Sequence, residues 1–95
     1  MLDRLVKMFG GEIMTLINKE IVINKDINGR QAANFAHSIS SMPFNVGIIK
    51  GDQQINGKSI LELLSADLKS GDIINVYIDK NDPNGLNEIV KLINL

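Results

Sequence analysis

Along this chain the spacing of apolar residues switches repeatedly between the two-residue period of a strand and the 3.6-residue period of a helix. That alternation limits the fold more than any single motif does. Ile17, Ile21 and Ile23 fall at even spacing inside Leu16 to Asn24, a stretch rich in β-branched residues, and predict a first strand. Beyond Asn28 the period becomes helical, with Ala32, Phe35, Ala36 and Ile39 on one stripe, until Ser40-Ser41-Met42-Pro43 stops it. Phe44 to Lys50 reads as a second strand. Gly51-Asp52 turns it tightly into a short third strand at Gln53 to Ile55, since glycine suits the first central position of a two-residue hairpin. Ser59 to Leu64 reads as a short helix, and Ile74, Val76 and Ile78 alternate in a fourth strand from Ile73 to Asp79. Asp82-Pro83 opens a last helix, with Asp at the cap and Pro in the first turn, and Leu86, Ile89, Val90 and Ile93 are its buried stripe. The order is β-α-β-β-α-β-α. A four-stranded antiparallel sheet with its helices gathered on one face follows, an α+β open-faced sandwich, because each alternating strand has one apolar face to cover.

Residues 1 to 13 differ in character. Leu2, Leu5, Val6 and Phe9 have helical spacing, and Gly10-Gly11 closes the segment, so a short amphipathic helix is expected as an N-terminal extension to a domain of residues 14–95. Asp3, Arg4 and Lys7 are too few for strong attraction to anionic lipid, which favours packing on the domain or on a twin chain.

The 95 residues suit one domain with a single core. With three Phe, one Tyr and no Trp, that core must be aliphatic. No cysteine is present, so neither disulfides nor thiolate metal sites are available, and one histidine excludes a histidine cluster. No metal and no cofactor are expected. A net charge of −1 with interspersed signs offers no broad basic surface for direct nucleic-acid binding. The apolar runs fall far short of the ~20 residues that span a bilayer, and no secretory segment is visible, which places the chain in the cytoplasm.

Two stretches carry the functional reading: Asn28-Gly29-Arg30-Gln31-Ala32-Ala33 and Asn56-Gly57-Lys58-Ser59-Ile60-Leu61-Glu62-Leu63-Leu64-Ser65. Each opens a helix. Together they resemble the two functional loops of the HPr family, the histidine-containing phosphocarriers of the bacterial sugar phosphotransferase system, and the resemblance runs from about Met14 to Leu95. It implies the same open-faced sandwich. It also implies that the position held by the family's phosphorylatable histidine is occupied here by Asn28, a divergence shared with the catabolite-repression HPr homologue. An amide has no nucleophilic nitrogen able to accept and pass on a phosphoryl group. In the family row around that histidine, Ile27, the small Gly29 and Arg30 keep their character, while Asp26, Asn28 and Gln31 depart from it. Family arginines at the position of Arg30 hold the phosphoryl group at a helix start, and Gly29, Arg30 and Gln31 are the corresponding phosphate or partner contacts here. Asp26 works against such an anion site.

Read without the family, Asn28 is a helix cap and Arg30 a solvated first-turn residue or a partner of Asp26. His37 lies well inside the helix and off its apolar stripe, which makes it a solvated histidine rather than a substitute nucleophile.

Ser59 and Glu62 fit a capping box, in which the serine accepts from the third helical N–H and the acid reaches back. The resemblance adds that Gram-positive HPr proteins are phosphorylated on the matching serine by a dedicated kinase, with consequences for carbon catabolism. Phosphate at a positive helix end is electrostatically favourable, although Glu62 stands where the family has a small residue and would repel it. Ile60, Leu61, Leu63 and Leu64 cover more than one face of a two-turn helix, so some of that surface stays exposed. Ile60, Leu61 and Leu64 are the expected docking contacts, and the family implies enzyme I, the serine kinase or a catabolite repressor as the protein they meet.

Three functions remain open at this level. The first is a non-catalytic regulatory binding partner switched at Ser59, and the second is a phosphocarrier using another acceptor. The third is a self-associating module in which the extension and the apolar helix form a homodimer.

Overall fold

A computed structural model describes the backbone of residues 2–8 and 12–94 and the side chains of residues 16–94. The described elements run β1 (Leu2–Met8), β2 (Glu12–Val22), α1 (Gly29–Ile39), β3 (Val46–Lys50), β4 (Gln53–Asn56), α2 (Ile60–Ser65), β5 (Ile73–Ile78) and α3 (Pro83–Ile93). From β2 onward this is the expected β-α-β-β-α-β-α order. The sheet order is β1-β2-β5-β3-β4, with every neighbouring pair antiparallel. Four of these strands form the predicted sheet, and β1 adds a fifth at its edge.

The core lies on one face. Ile17 pairs with Ile78, which pairs in turn with Val46, and Ile48 sits between Val76 and Ile55. All of these side chains are buried, and they form one cluster with Ala32, Phe35, Ala36 and Ile39 of α1, Leu63 of α2, and Leu86, Ile89 and Ile93 of α3. Val90 is only partly buried at its margin. Period-two strands and 3.6-period helices each present one apolar side, and stacking the helices on a single sheet face removes both from water at once.

The opposite face is covered unevenly. Leu16 and Tyr77 are buried outside that core cluster, whereas the cross-strand pair Val22 and Ile73 is exposed. Tyr77 lies across Gly47, where an added Cβ would run into the ring. Glycine is required at that position by this close approach.

The N-terminal segment departs from expectation. Among the described residues of this segment the expected helix is replaced by a strand, Leu2–Met8, paired antiparallel with β2 from Leu2↔Asn18 to Met8↔Glu12. A lone helix of that length is marginal in water, while an adjacent strand offers every backbone group of Leu2–Met8 a ladder to join. Phe9, Gly10 and Gly11 lie outside the described residues. The first strand accordingly begins at Glu12 rather than Leu16 and runs unbroken past Met14 to Val22.

Candidate functional site

Asn28 stands in extended backbone immediately before α1, and its Oδ1 accepts from the N–H groups of Arg30 (3.1 Å) and Gln31 (3.3 Å). The helix needs this, since its first N–H groups have no partner within the helix. Gly29 has open space around its Cα. Arg30 is exposed and, among the described ion pairs, has none with Asp26. Asp26 is engaged elsewhere: its Oδ1 accepts from the Ser70 N–H at 2.9 Å. Next to it the Ile27 N–H donates to the Leu68 carbonyl at 2.9 Å. The first loop is thus bonded to the segment just past α2, and α1 and α2 pack on each other.

Ser59 caps α2, its Oγ accepting from the Glu62 N–H at 3.3 Å. The reciprocal half of the expected capping box is absent. Glu62 instead accepts from the Asn56 N–H at 2.9 Å, while the Ser59 N–H donates to the Asn56 carbonyl at 3.0 Å. The Asn56-Gly57-Lys58 turn already satisfies the cap donor, which frees the carboxylate to reach past it. Lys58 donates from Nζ to the Met42 carbonyl at 2.7 Å and ties this loop to the segment after α1.

Leu63 points into the core with no exposure, and its helix neighbours do not: Ile60 is 43% exposed, Leu61 78% and Leu64 41%. A six-residue helix with one buried position leaves a contiguous apolar surface on the solvent side. His37 is exposed in the last turn of α1, at the opposite end of that helix from Asn28.

One feature escaped the sequence reading. Arg30 and Gln31 line a cleft of about 340 Å³ with Lys25, Asn34, Phe35 and Leu92, between α1 and the end of α3. Its lining holds two cations and no acid, and Gln31 Oε1 is shielded there without a hydrogen-bond partner. The available signal was the spacing of Gln31, Asn34 and Ser38, a polar row beside the apolar stripe of α1; the α3 wall follows from tertiary packing alone. Among the described residues no three His, Cys, Asp or Glu side chains converge as a metal site, and no helix is long and apolar enough to cross a membrane.

A family model described as "PTS HPr component phosphorylation site" matches residues 17–94. A phosphocarrier protein HPr from Bacillus anthracis superposes with a TM-score of 0.75 at 20% identity, covering 82% of this chain and 96% of its own. The histidine-containing phosphocarrier protein of a Mycoplasma gives 0.68 at 22% identity, covering 81% and 97%. HPr-C-His from Thermoanaerobacter tengcongensis gives 0.66 at 22%, covering 84% and 91%. No curated protein matches. The family match begins at Ile17, inside β2, and ends just past α3.

Proposed function

The chain belongs to the PTS HPr family, and from that membership we propose that it is a non-catalytic regulatory partner in carbon catabolite control rather than a carrier of phosphate. Members of the family are phosphocarrier proteins and not enzymes. The observation that carries the proposal is Asn28, whose oxygen is occupied by two backbone N–H groups at the start of α1. Phosphoryl transfer through the family's position needs an imidazole nitrogen there, and the one histidine of the chain is at the far end of the same helix.

Binding then becomes the function of the remaining surface. Ile60, Leu61 and Leu64 dock a cytoplasmic protein of the enzyme I, HPr serine kinase or catabolite repressor type, with Gly29, Arg30 and Gln31 as flanking contacts. Ser59 sits at the edge of that patch and is half-accessible. A phosphate on it adds about −1.5 to −2 charges beside Ile60 and changes which partner fits. Residues 14–95 act as the family domain and 1–13 as an added arm.

Two reactions test the reading. Enzyme I with labelled phosphoenolpyruvate is expected to leave the chain unlabelled and to label an Asn28→His variant; acid-labile phosphate on His37 of the unmodified chain overturns the proposal. HPr serine kinase with ATP is expected to add one phosphate, lost in Ser59→Ala. An unmodified Ser59 under conditions that label an ordinary HPr removes the switch.

A further inference from the structure

Three asparagines in this chain are followed directly by glycine, at Asn28-Gly29, Asn56-Gly57 and Asn84-Gly85. In such a pair the glycine nitrogen can close on the asparagine side-chain carbonyl, because no Cβ obstructs the approach and the glycine backbone turns freely. The fold treats the three pairs differently. The Gly57 N–H donates to the Val46 carbonyl at 2.9 Å, and the Gly85 N–H donates to Asp82 Oδ1 at 3.0 Å. Both glycines are also packed, since an added Cβ would crowd Val46 at the first and Phe44 and Asp82 at the second. Gly29 has neither restraint. Among the described hydrogen bonds none uses its N–H, and nothing stands within 4 Å of where a Cβ would be. Asn28 and Gly29 are both exposed, and Asn28 holds extended backbone (φ −86°, ψ −174°) just outside the helix.

We propose that Asn28 is a site of spontaneous deamidation, which converts its amide to a carboxylate at the head of α1. The Gly29 nitrogen, having lost its proton to solvent hydroxide, bonds to Asn28 Cγ; the Cγ–Nδ2 bond breaks, and Nδ2 leaves as ammonia with a proton from water. Water then opens the cyclic imide. Cleavage of the new bond at Cγ leaves aspartate at position 28, and cleavage at the main-chain carbonyl leaves isoaspartate. One water is consumed, one ammonia is released, and nothing is oxidised or reduced. The cap itself promotes ring closure. Asn28 Oδ1 becomes an oxyanion as the ring forms, and it already accepts from the Arg30 and Gln31 N–H groups at 3.1 and 3.3 Å, the arrangement of an oxyanion hole. The positive end of an eleven-residue helix favours negative charge on that oxygen and on the attacking nitrogen. Asn56 Oδ1 accepts from one described N–H, that of Lys58 at 3.0 Å. The two products differ in effect. Aspartate caps a helix as well as asparagine does and sets a carboxylate two residues from Arg30, whereas isoaspartate adds a methylene to the main chain and withdraws the cap. Either one makes the net charge of −1 more negative by one unit. This inference is independent of the regulatory proposal, since it uses neither Ser59 nor the α2 surface.

The test is to hold the full chain folded in mildly alkaline buffer, sample it over days, digest each sample in acid and map the peptides by mass spectrometry. Asn28 is expected to convert several-fold faster than Asn56 and Asn84, and no slower than it does in the same chain unfolded in urea. Gly29→Ala, which the open space accommodates, is expected to suppress conversion at Asn28 and to leave the far-ultraviolet circular dichroism unchanged. Conversion at Asn28 that folding slows, or that Asn56 or Asn84 matches in the folded chain, overturns the proposal. Undiminished conversion in Gly29→Ala overturns it equally, and the urea comparison, which needs no variant, decides the matter if that variant fails to fold.

Discussion

Replacing Asn28 with alanine removes an oxygen that two backbone N–H groups use, with bonds of 3.1 and 3.3 Å, at the start of an eleven-residue helix. The expected loss is about 1 kcal/mol of folding stability, read by chemical denaturation, with no change in the fold. Asp72 makes a different kind of contribution. The Lys69 backbone N–H donates to its Oδ2 at 2.8 Å and Lys50 Nζ approaches the same oxygen at 2.9 Å, and these bonds, the first above all, hold its carboxyl below the ordinary aspartate range. A carboxyl depressed in the folded state stabilises above its unfolded pKa, and that stability disappears as pH falls through the folded value. Asp72→Asn is therefore expected to be less stable than the unmodified chain at neutral pH and to converge with it in strong acid. Denaturant midpoints measured from neutral pH down to that limit check this.

Elements show most clearly what the sequence disclosed and what it withheld. The apolar stripes of α1 and α3 and the alternation in β5 were legible because period and burial coincide in an amphipathic element. The surface of α2 was legible for a simpler reason: four apolar residues crowd two turns, and one of them, Leu63, takes the place in the core. Leu63→Ala is expected to cost about 2–5 kcal/mol in denaturation, and Leu61→Ala to leave stability within about 0.5 kcal/mol while weakening partner capture. The N-terminal segment was misread because Leu2, Leu5 and Val6 satisfy a helical spacing, and only the neighbouring strand, which propensity does not register, decides between the two periods. The Glu62 contact to Asn56 and the Asp26 contact to Ser70 were likewise hidden, since each depends on a turn geometry set by residues outside the motif.

At the scale of the whole molecule, the three described helices share one buried cluster with strands β2 to β5, so no described helix has a core of its own to retain when the others leave. Unfolding is expected to be a single transition, with calorimetric and van't Hoff enthalpies equal at low protein concentration; a ratio well above one would show that α3 or the β1–β2 arm unfolds separately. Fold and candidate site were legible to different degrees here. Element order sufficed for the architecture, whereas the cleft beside Arg30 needed the end of α3 brought against α1 from far along the chain. Tyr77 carries a practical consequence. It is the one tyrosine in a chain without tryptophan, and it sits on the helix-free side of the sheet, opposite Asn18 and across Gly47. Its ultraviolet emission is a native optical gauge of that side alone, able to follow events around Asn18 and Gly47 without an attached dye.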